Sequence, residues 1–312
     1  MKPICKKFSI NTNNCIKSLI YFSIGTLGLI LLTTFSDKLS SLDKGLATWA
    51  KNLNQNGKNV FENGVILFCN KNQELVFIIA LVIIVALVLY DLIIARIPFK
   101  THKFEYLYIL LQVFMFVLFS SVMIQIMKFY FDRPRPRHTI DMHPPGDTDL
   151  QCKLPFQKAF TRYYGPNPCD YSLESCPSGH VQGVATACII LLWIAIYNYN
   201  FTNKYTSIKK VNAVISICVI LFSGCVTAVL IPSVMISRIV ASAHYFTDVM
   251  GGLLVTILSM FVLPLFEPSF DKQERSEYQS VHQVQMKSAK EFETVSFNRK
   301  DQQEKLLDAW HE

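Results

Sequence analysis

The sequence predicts an all-α membrane protein with six transmembrane helices. Of its 312 residues, 51% are hydrophobic and only 17% are charged, which is more apolar than a typical soluble domain. The apolar residues also gather in six runs that are nearly free of charge. Most of these runs have the length of roughly 17–25 residues that a helix needs to cross a bilayer. Six such runs would be unusual as core helices of a soluble domain, so we expect a polytopic helical bundle.

The six predicted helices divide the chain into a membrane domain and two polar ends. The helices cover residues 19–35, 75–94, 106–127, 183–197, 211–233 and 247–265. Residues 1–18 form the N-terminal segment, residues 19–265 the membrane domain, and residues 266–312 a polar tail. No small-residue cleavage site clearly follows the first apolar run, so we interpret it as a retained helix rather than a secretion signal.

Basic residues in the short connections predict the orientation of the bundle, because Lys and Arg are retained on the cytoplasmic side. They precede the first helix and follow the second and fourth helices: Lys2, Lys6, Lys7 and Lys17; Arg96, Lys100 and Lys103; Lys204, Lys209 and Lys210. Both termini are therefore expected in the cytoplasm. The outer loops 36–74, 128–180 and 234–246 are expected on the opposite side.

The first outer loop has two interpretations. Leu46, Trp49, Ala50 and Leu53 follow helical spacing, which is typical of an amphipathic helix lying at the membrane interface. A solvated loop would have a similar composition. The sequence does not separate the two.

A first polar cluster follows the third helix directly and reads Lys128-Phe-Tyr-Phe-Asp-Arg-Pro-Arg-Pro-Arg137. Arginine offers forked donors and lysine a point charge, a combination that suits phosphate. Basic residues at a membrane edge also snorkel or contact lipid head groups. For this cluster alone, the second interpretation is favoured.

A second polar cluster, Cys176-Pro-Ser-Gly-His180, directly precedes the fourth helix. The backbone N–H groups at a helix N-terminus have no intrahelical partner and can bind an anion. Ser178 is equally a good N-cap and Gly179 a turn former. His180 is harder to explain as a cap, and it can donate a proton to a leaving oxygen.

A third polar cluster, from Ser237 to Asp248, precedes the last helix. If this stretch is helical, His244 and Asp248 lie on one face, so the carboxylate can orient the imidazole while its other nitrogen attacks. Arg238 can add a cation to a phosphate site. The alternative is an ordinary His–Asp surface pair at a helix end.

The combination of the three clusters resembles a known family. Three motifs follow one another along the chain, each at a predicted helix end: Lys-x6-Arg-Pro, Pro-Ser-Gly-His and Ser-Arg-x5-His-x3-Asp. The pattern resembles the type 2 phosphatidic acid phosphatase (PAP2) superfamily over about residues 70–265. The resemblance implies a membrane lipid-phosphate phosphatase with a phosphohistidine intermediate and with neither a metal ion nor another cofactor. It implies His244 as nucleophile, Asp248 as its orienting partner and His180 as general acid.

The resemblance also implies a phosphate site made of cations and hydrogen-bond donors. Its residues would be Lys128, Arg135, Ser178, Gly179 and Arg238. Arg133 and Arg137 fall outside the family spacing and remain as supporting or head-group contacts. Three fixed cations can neutralise a phosphate as a metal does elsewhere, and the sequence holds no separate carboxylate cluster of the kind a two-metal site requires.

Substrate and reaction type stay open within the family. The implied substrates are phosphatidic acid, polyprenyl diphosphates and the phosphates of lipid A. The expected partners are the lipid-phosphate substrate and the membrane, and no nucleic acid is expected. A phosphotransferase with the same intermediate is the first alternative. A non-catalytic lipid-phosphate-binding member is the second, although the intact histidines argue against it. The sequence does not indicate an oligomeric state.

Localisation is predicted from the sequon and the cysteines. The only glycosylation sequon, residues 200–202, lies on the predicted cytoplasmic side, which favours a bacterial inner membrane with the site facing the periplasm. A eukaryotic endomembrane or plasma membrane, with a lumenal or extracellular site, is the alternative. A disulfide among Cys152, Cys169 and Cys176, or with Cys69, would fit an oxidising compartment, but the pairing cannot be read from sequence.

Overall fold

The computed structural model describes residues 12–55, 99–139, 154–166, 173–205 and 209–265, which all lie in one compact unit, Ile10–Glu267. These residues are almost entirely helical. The helices are α1 (Thr12–Thr34), α2 (Ser36–Gln55), α3 (Phe99–Phe131), α4 (Gly179–Tyr205), α5 (Lys209–Val240), α6 (Phe246–Ser259) and α7 (Val262–Leu265). A 3-10 turn over Pro136–His138 and an isolated bridge between Thr139 and Leu154 order the chain after α3.

Five helical segments within the described ranges are long and apolar enough to cross a membrane. They are Thr12–Thr34, Ile109–His138, Gly179–Tyr197, Ile217–Val240 and Phe246–Leu265. The all-α polytopic fold predicted from the sequence is thereby confirmed. The predicted helix over residues 75–94 lies outside the described residues, as does the tail 266–312.

The first outer loop contains a helix, so the solvated-loop interpretation is wrong for residues 36–55. Helix α2 packs against α5 and α6. Ala47 and Ala50 are buried on it, while Trp49 is partly exposed. The small alanine side chains lie on the packed face and allow a close approach, which brings Asp43, one turn before Ala47, near the ends of the other helices.

Helix α6 is largely enclosed and packs against α1, α3 and α4. Its crossing with α1 is close: a Cβ atom added to Gly25 would lie 2.5 Å from the Leu258 Cα atom. Any larger residue at this position would separate the two helices. Helices α1 and α5 instead leave most of their apolar side chains exposed, as expected for helices that face lipid.

A buried polar cluster joins α3 to the first turns of α4. The Gln182 side-chain amide donates a hydrogen bond to the Ser120 hydroxyl at 2.7 Å, and Thr186 completes the cluster 3.3 Å from Ser120. Buried polar groups favour one register because a shift would leave them unpaired. The cluster therefore fixes the start of α4 relative to the end of α3.

Candidate active site

The three polar clusters of the sequence meet at one end of the helix bundle. The end of α3, the start of α4 and the turn between α5 and α6 contribute to this site. The backbone N–H of Ser178 donates to the Asp248 carbonyl at 2.9 Å, which joins the second cluster to the third. The imidazole rings of His180 and His244 lie 6.1 Å apart between centroids.

His244 lies in a tight turn, not in a helix. The backbone N–H groups of Ala243 and His244 both donate to the Arg238 carbonyl, at 3.1 and 3.2 Å, and Ser242 adopts a positive φ of 51°. Helix α6 begins only at Phe246, with Tyr245 as its N-cap. The condition of a helix that contains both His244 and Asp248 is therefore not met. The positive φ at Ser242 interrupts the helical path before the histidine.

The His244 imidazole is almost completely buried, with 2% of its surface exposed. Its Nδ1 atom lies 2.8 Å from the Ser175 carbonyl oxygen. Because a carbonyl can only accept, Nδ1 carries the proton and Nε2 holds the lone pair. Nε2 is buried and has no hydrogen-bond partner in the described part of the chain. His244 thus presents an unshared nitrogen lone pair inside the site.

Asp248 approaches His244 but does not bond to it directly. Its Oδ2 atom lies 4.0 Å from His244 Nδ1, which is too long for a hydrogen bond. The same Oδ2 accepts the Ser175 hydroxyl at 2.5 Å and the Tyr245 backbone N–H at 2.9 Å. Ser175 therefore links the two residues, since its carbonyl holds the imidazole and its hydroxyl holds the carboxylate. Sequence reasoning missed Ser175, because it precedes the recognised motif and no spacing marks it.

Arg133 occupies the centre of the buried polar network. Its Nη1 donates to Asp248 Oδ1 at 2.6 Å, its Nη2 to Asp43 Oδ2 at 2.9 Å, and its Nε to the Gln157 carbonyl at 2.9 Å. Its guanidinium carbon lies 4.1 Å from the centroid of the Tyr245 ring, a cation–π distance. Arg133 is fully buried, so it supports the site from behind and does not face a head group.

Asp43 is the second functional residue that sequence reasoning missed. It lies on α2, and its carboxylate reaches Arg133 and both the backbone N–H and the hydroxyl of Thr247. The patterns used for the first outer loop described its apolar positions only. A single carboxylate just before those positions carried no signal of its own.

Burial changes the protonation of groups around the turn. The pKa of His244 is lowered to about 3, mainly by burial and also by Arg238 and His180, against opposing effects of Asp248 and the Ser175 carbonyl. The ring is therefore neutral at neutral pH. Burial also raises the pKa of the Cys176 thiol well above its usual value, and the nearby Asp248 carboxylate adds to this shift.

Three of the predicted phosphate ligands lie near enough to His180 to affect its charge. Arg238, Lys128 and Arg135 all act electrostatically on its imidazole. Lys128 lies beside Gly179, since a Cβ atom added there would be 3.5 Å from the lysine Nζ. Lys128 also forms a looser ion pair with the exposed Glu174, at 3.7 Å.

Two further polar atoms of the predicted phosphate site are buried. The Ser178 hydroxyl and the Arg135 Nε have no hydrogen-bond partner among the described residues. Buried donors of this kind are costly unless a ligand or water binds them. The arrangement can therefore bind an anion beside the two histidines.

A family comparison agrees with this geometry. The model of the PAP2 superfamily matches residues 107–270, which is more than half of the chain and includes all three polar clusters. The chain belongs to the PAP2 superfamily. No curated protein and no solved structure matches it. Members of this superfamily are generally phosphatases, which supports a phosphoric ester hydrolase for this PAP2 protein.

The cysteines and acidic residues of this PAP2 protein show two more features of the site. Cys176 is a free, buried thiol, whereas Cys69, Cys152 and Cys169 lie outside the described residues. Within the described ranges, no group of three His, Cys, Asp or Glu side chains is arranged to hold a metal ion. The positive charge near the histidines comes from Lys and Arg side chains.

Proposed function

We propose that this PAP2 protein is a membrane lipid-phosphate phosphatase that hydrolyses a lipid phosphomonoester or diphosphate through a phosphohistidine on His244. The observation that carries the proposal is the His244 Nε2 atom, which is buried, neutral and without a hydrogen-bond partner among the described residues. A nucleophile needs such a lone pair together with positive charge for the group that it attacks. Lys128, Arg135 and Arg238 provide that charge around His180.

The first step is an in-line attack of His244 Nε2 on the phosphorus atom. The N–P bond forms while the P–O bond to the lipid breaks, and His180 donates a proton to the leaving oxygen. The imidazole ring becomes cationic. The Ser175 carbonyl on Nδ1 and the Asp248 carboxylate 4.0 Å away both stabilise this positive charge.

The second step is hydrolysis of the phosphohistidine. Water attacks the phosphorus atom, His180 takes back one proton, and the N–P bond breaks to release inorganic phosphate. The equatorial oxygens stay neutralised by the cations Lys128, Arg135 and Arg238 through both steps. Only the two histidines change charge in these steps, and the three cations neutralise the phosphate. We therefore propose that hydrolysis proceeds without a metal ion.

The place of the site in the fold supports a lipid substrate. The five apolar helical segments support an integral membrane protein, and the site residues lie at the ends of four of them or in the adjoining turns. Phosphatidic acid, a polyprenyl diphosphate or a lipid A phosphate presents its phosphate at this depth while its chains stay in the bilayer. We further propose that the site faces away from the cytoplasm, as the charge distribution of the connections predicts, and that the membrane is a bacterial inner membrane, which the position of the sequon at residues 200–202 favours.

The test is phosphate release by the detergent-purified protein in excess chelator, with each of these three lipids. We expect the wild type to release phosphate and His244→Ala to fall to background. A matched control is Tyr164→Ala, an exposed aromatic residue outside the site, which should keep wild-type activity. Brief reaction with a substrate labelled at the phosphate should also trap an acid-labile phosphoenzyme in the wild type and none in His244→Ala.

Four results would count against the proposal. An equally active His244→Ala would exclude the phosphohistidine, and a chelator-sensitive wild type would exclude the metal-free reaction. Label that moves to an added lipid alcohol, with no free phosphate, would indicate a phosphotransferase. Binding of the lipids without turnover would indicate a non-catalytic member of the superfamily.

A further inference from the structure

Helix α2 contributes a carboxylate to the buried network beside the active site. Asp43 has 1% of its side chain exposed. Its Oδ1 accepts the Thr247 backbone N–H at 3.0 Å, and its Oδ2 accepts the Thr247 hydroxyl at 2.6 Å and Arg133 Nη2 at 2.9 Å. Asp43 thus uses both oxygens on groups that adjoin the catalytic turn.

The guanidinium of Arg133 is shared between two carboxylates. Asp43 binds one of its terminal nitrogens and Asp248 the other. The three buried charges sum to one negative charge. The nearest groups of the proposed reaction are His244, 4.0 Å from Asp248, and Ser175, which bonds to both. A negative charge here favours the cationic imidazole of a phosphohistidine.

We propose that Asp43 is a positioning residue of the phosphatase, which shares Arg133 with Asp248 and so leaves one net negative charge beside His244. The inference rests on the proposed function of this site. Without the Asp43 carboxylate, the charge of Arg133 would be offset by Asp248 alone, and the network would become neutral. The carboxylate would then attract the His244 ring less when phosphate is attached to it.

Helix α2 also has contacts outside the buried network, and these provide a control for a purely structural role of the helix. The helix has other contacts that hold it in place, including Lys44 over the Phe156 ring at 4.7 Å and the ion pair between Asp37 and Lys158 at 2.6 Å. Asp37 is a matched control for Asp43, because it lies on the same helix and pairs with a cation but has 71% of its side chain exposed. Its removal leaves the buried charges unchanged.

The experiment compares Asp43→Asn, Thr247→Val and Asp37→Asn with the wild type in the lipid-phosphate assay. Asp43→Asn keeps the shape and removes the charge, so kcat should fall about 10- to 100-fold, a range typical of residues that orient a catalytic group. KM and inhibition by inorganic phosphate should stay within about twofold, since no phosphate ligand changes. Thr247→Val removes the hydrogen bonds of that hydroxyl but keeps both carboxylates, so it should lose less in kcat. Asp37→Asn should match the wild type.

Each result decides the proposal. Full kcat in a folded Asp43→Asn, or an equal loss in Thr247→Val, would overturn it, as would a change confined to KM. If Asp43→Asn does not fold, Asp43→Ser replaces it, because a smaller polar side chain leaves space for water. Failure of both to fold would make Asp43 a folding residue and overturn the positioning role.

The wild type and His244→Ala separate this proposal from the proposed function. Phosphate release that depends on His244 establishes the phosphatase, so an unaffected Asp43→Asn would then refute the role of Asp43 alone. A wild type without activity would overturn both.

Discussion

Replacement of Arg133 by glutamine should strongly destabilise the fold. The guanidinium is fully buried and binds Asp43 at 2.9 Å and Asp248 at 2.6 Å. Removing one partner of a buried ion pair costs about 3–5 kcal/mol, because the remaining charge stays buried without compensation. Here two carboxylates lose the same partner, so we expect a loss in the upper part of this range.

The control is an arginine in an exposed pair. Arg162 lies 3.8 Å from Asp132 with 43% of its side chain exposed, and such pairs contribute about 0–1 kcal/mol. Arg162→Gln should therefore leave the free energy of unfolding almost unchanged. Both variants can be unfolded by titration with sodium dodecyl sulfate in mixed micelles and followed by tryptophan fluorescence. If Arg133→Gln unfolds within about 1 kcal/mol of Arg162→Gln, the buried network does not stabilise the fold as its geometry indicates.

Three smaller changes test other contacts of the site. In Gly252→Ala the new Cβ would overlap the Ser178 carbonyl oxygen, so activity should fall at least about tenfold, whereas Gly224→Ala, with open space around it, should match the wild type. Ser178→Ala should weaken inhibition by inorganic phosphate about tenfold or more, because hydrogen bonds to charged groups contribute about 1.5–3 kcal/mol; unchanged inhibition would exclude this hydroxyl as a ligand. Because the pKa of His244 is lowered from 6.5 to about 3, the unfolded state alone takes up a proton on this ring between these pH values, so the fold becomes less stable as pH falls from 6.5 towards about 3. Between pH 7 and pH 5 the free energy of unfolding should therefore fall more in the wild type than in His244→Gln. The extra loss should be up to about 1.4 kcal/mol per pH unit below 6.5. An equal loss in both proteins would refute a buried, neutral His244.

The membrane helices could be predicted because their signal is local. Apolar length alone located five of the described segments, but it gave their ends poorly. Helix α3 continues to Phe131, beyond the predicted end at residue 127, and α5 continues past Pro232 to Val240. Hydrophobicity marks the part of a helix that lies in hydrocarbon, whereas the helix itself continues into the interface until a turn ends it.

The candidate site was predicted in its composition but not in its connections. The motif residues are close in sequence, so their spacing could be recognised, and the structure brings His180, His244 and the three cations together. The contact between Asp43 and Thr247 joins residues 204 positions apart, and no local pattern reports such a separation. The role of Ser175 depends on a backbone carbonyl, which every residue has. Side-chain identity therefore could not predict it.

The position of α6 sets the depth of the chemistry in the membrane. The segment Phe246–Leu265, which comprises α6 and α7, has 20 residues, and at about 1.5 Å per residue it is about 30 Å long, the thickness of the hydrocarbon layer. His244 comes two residues before this segment, and the Asp248 carboxylate both accepts the backbone N–H of the N-cap Tyr245 and binds Arg133. The helix therefore cannot slide along the bilayer normal without moving the site. Membrane thickness and the access of the proposed nucleophile, His244, to the proposed head-group phosphate are therefore coupled through the first turn of α6.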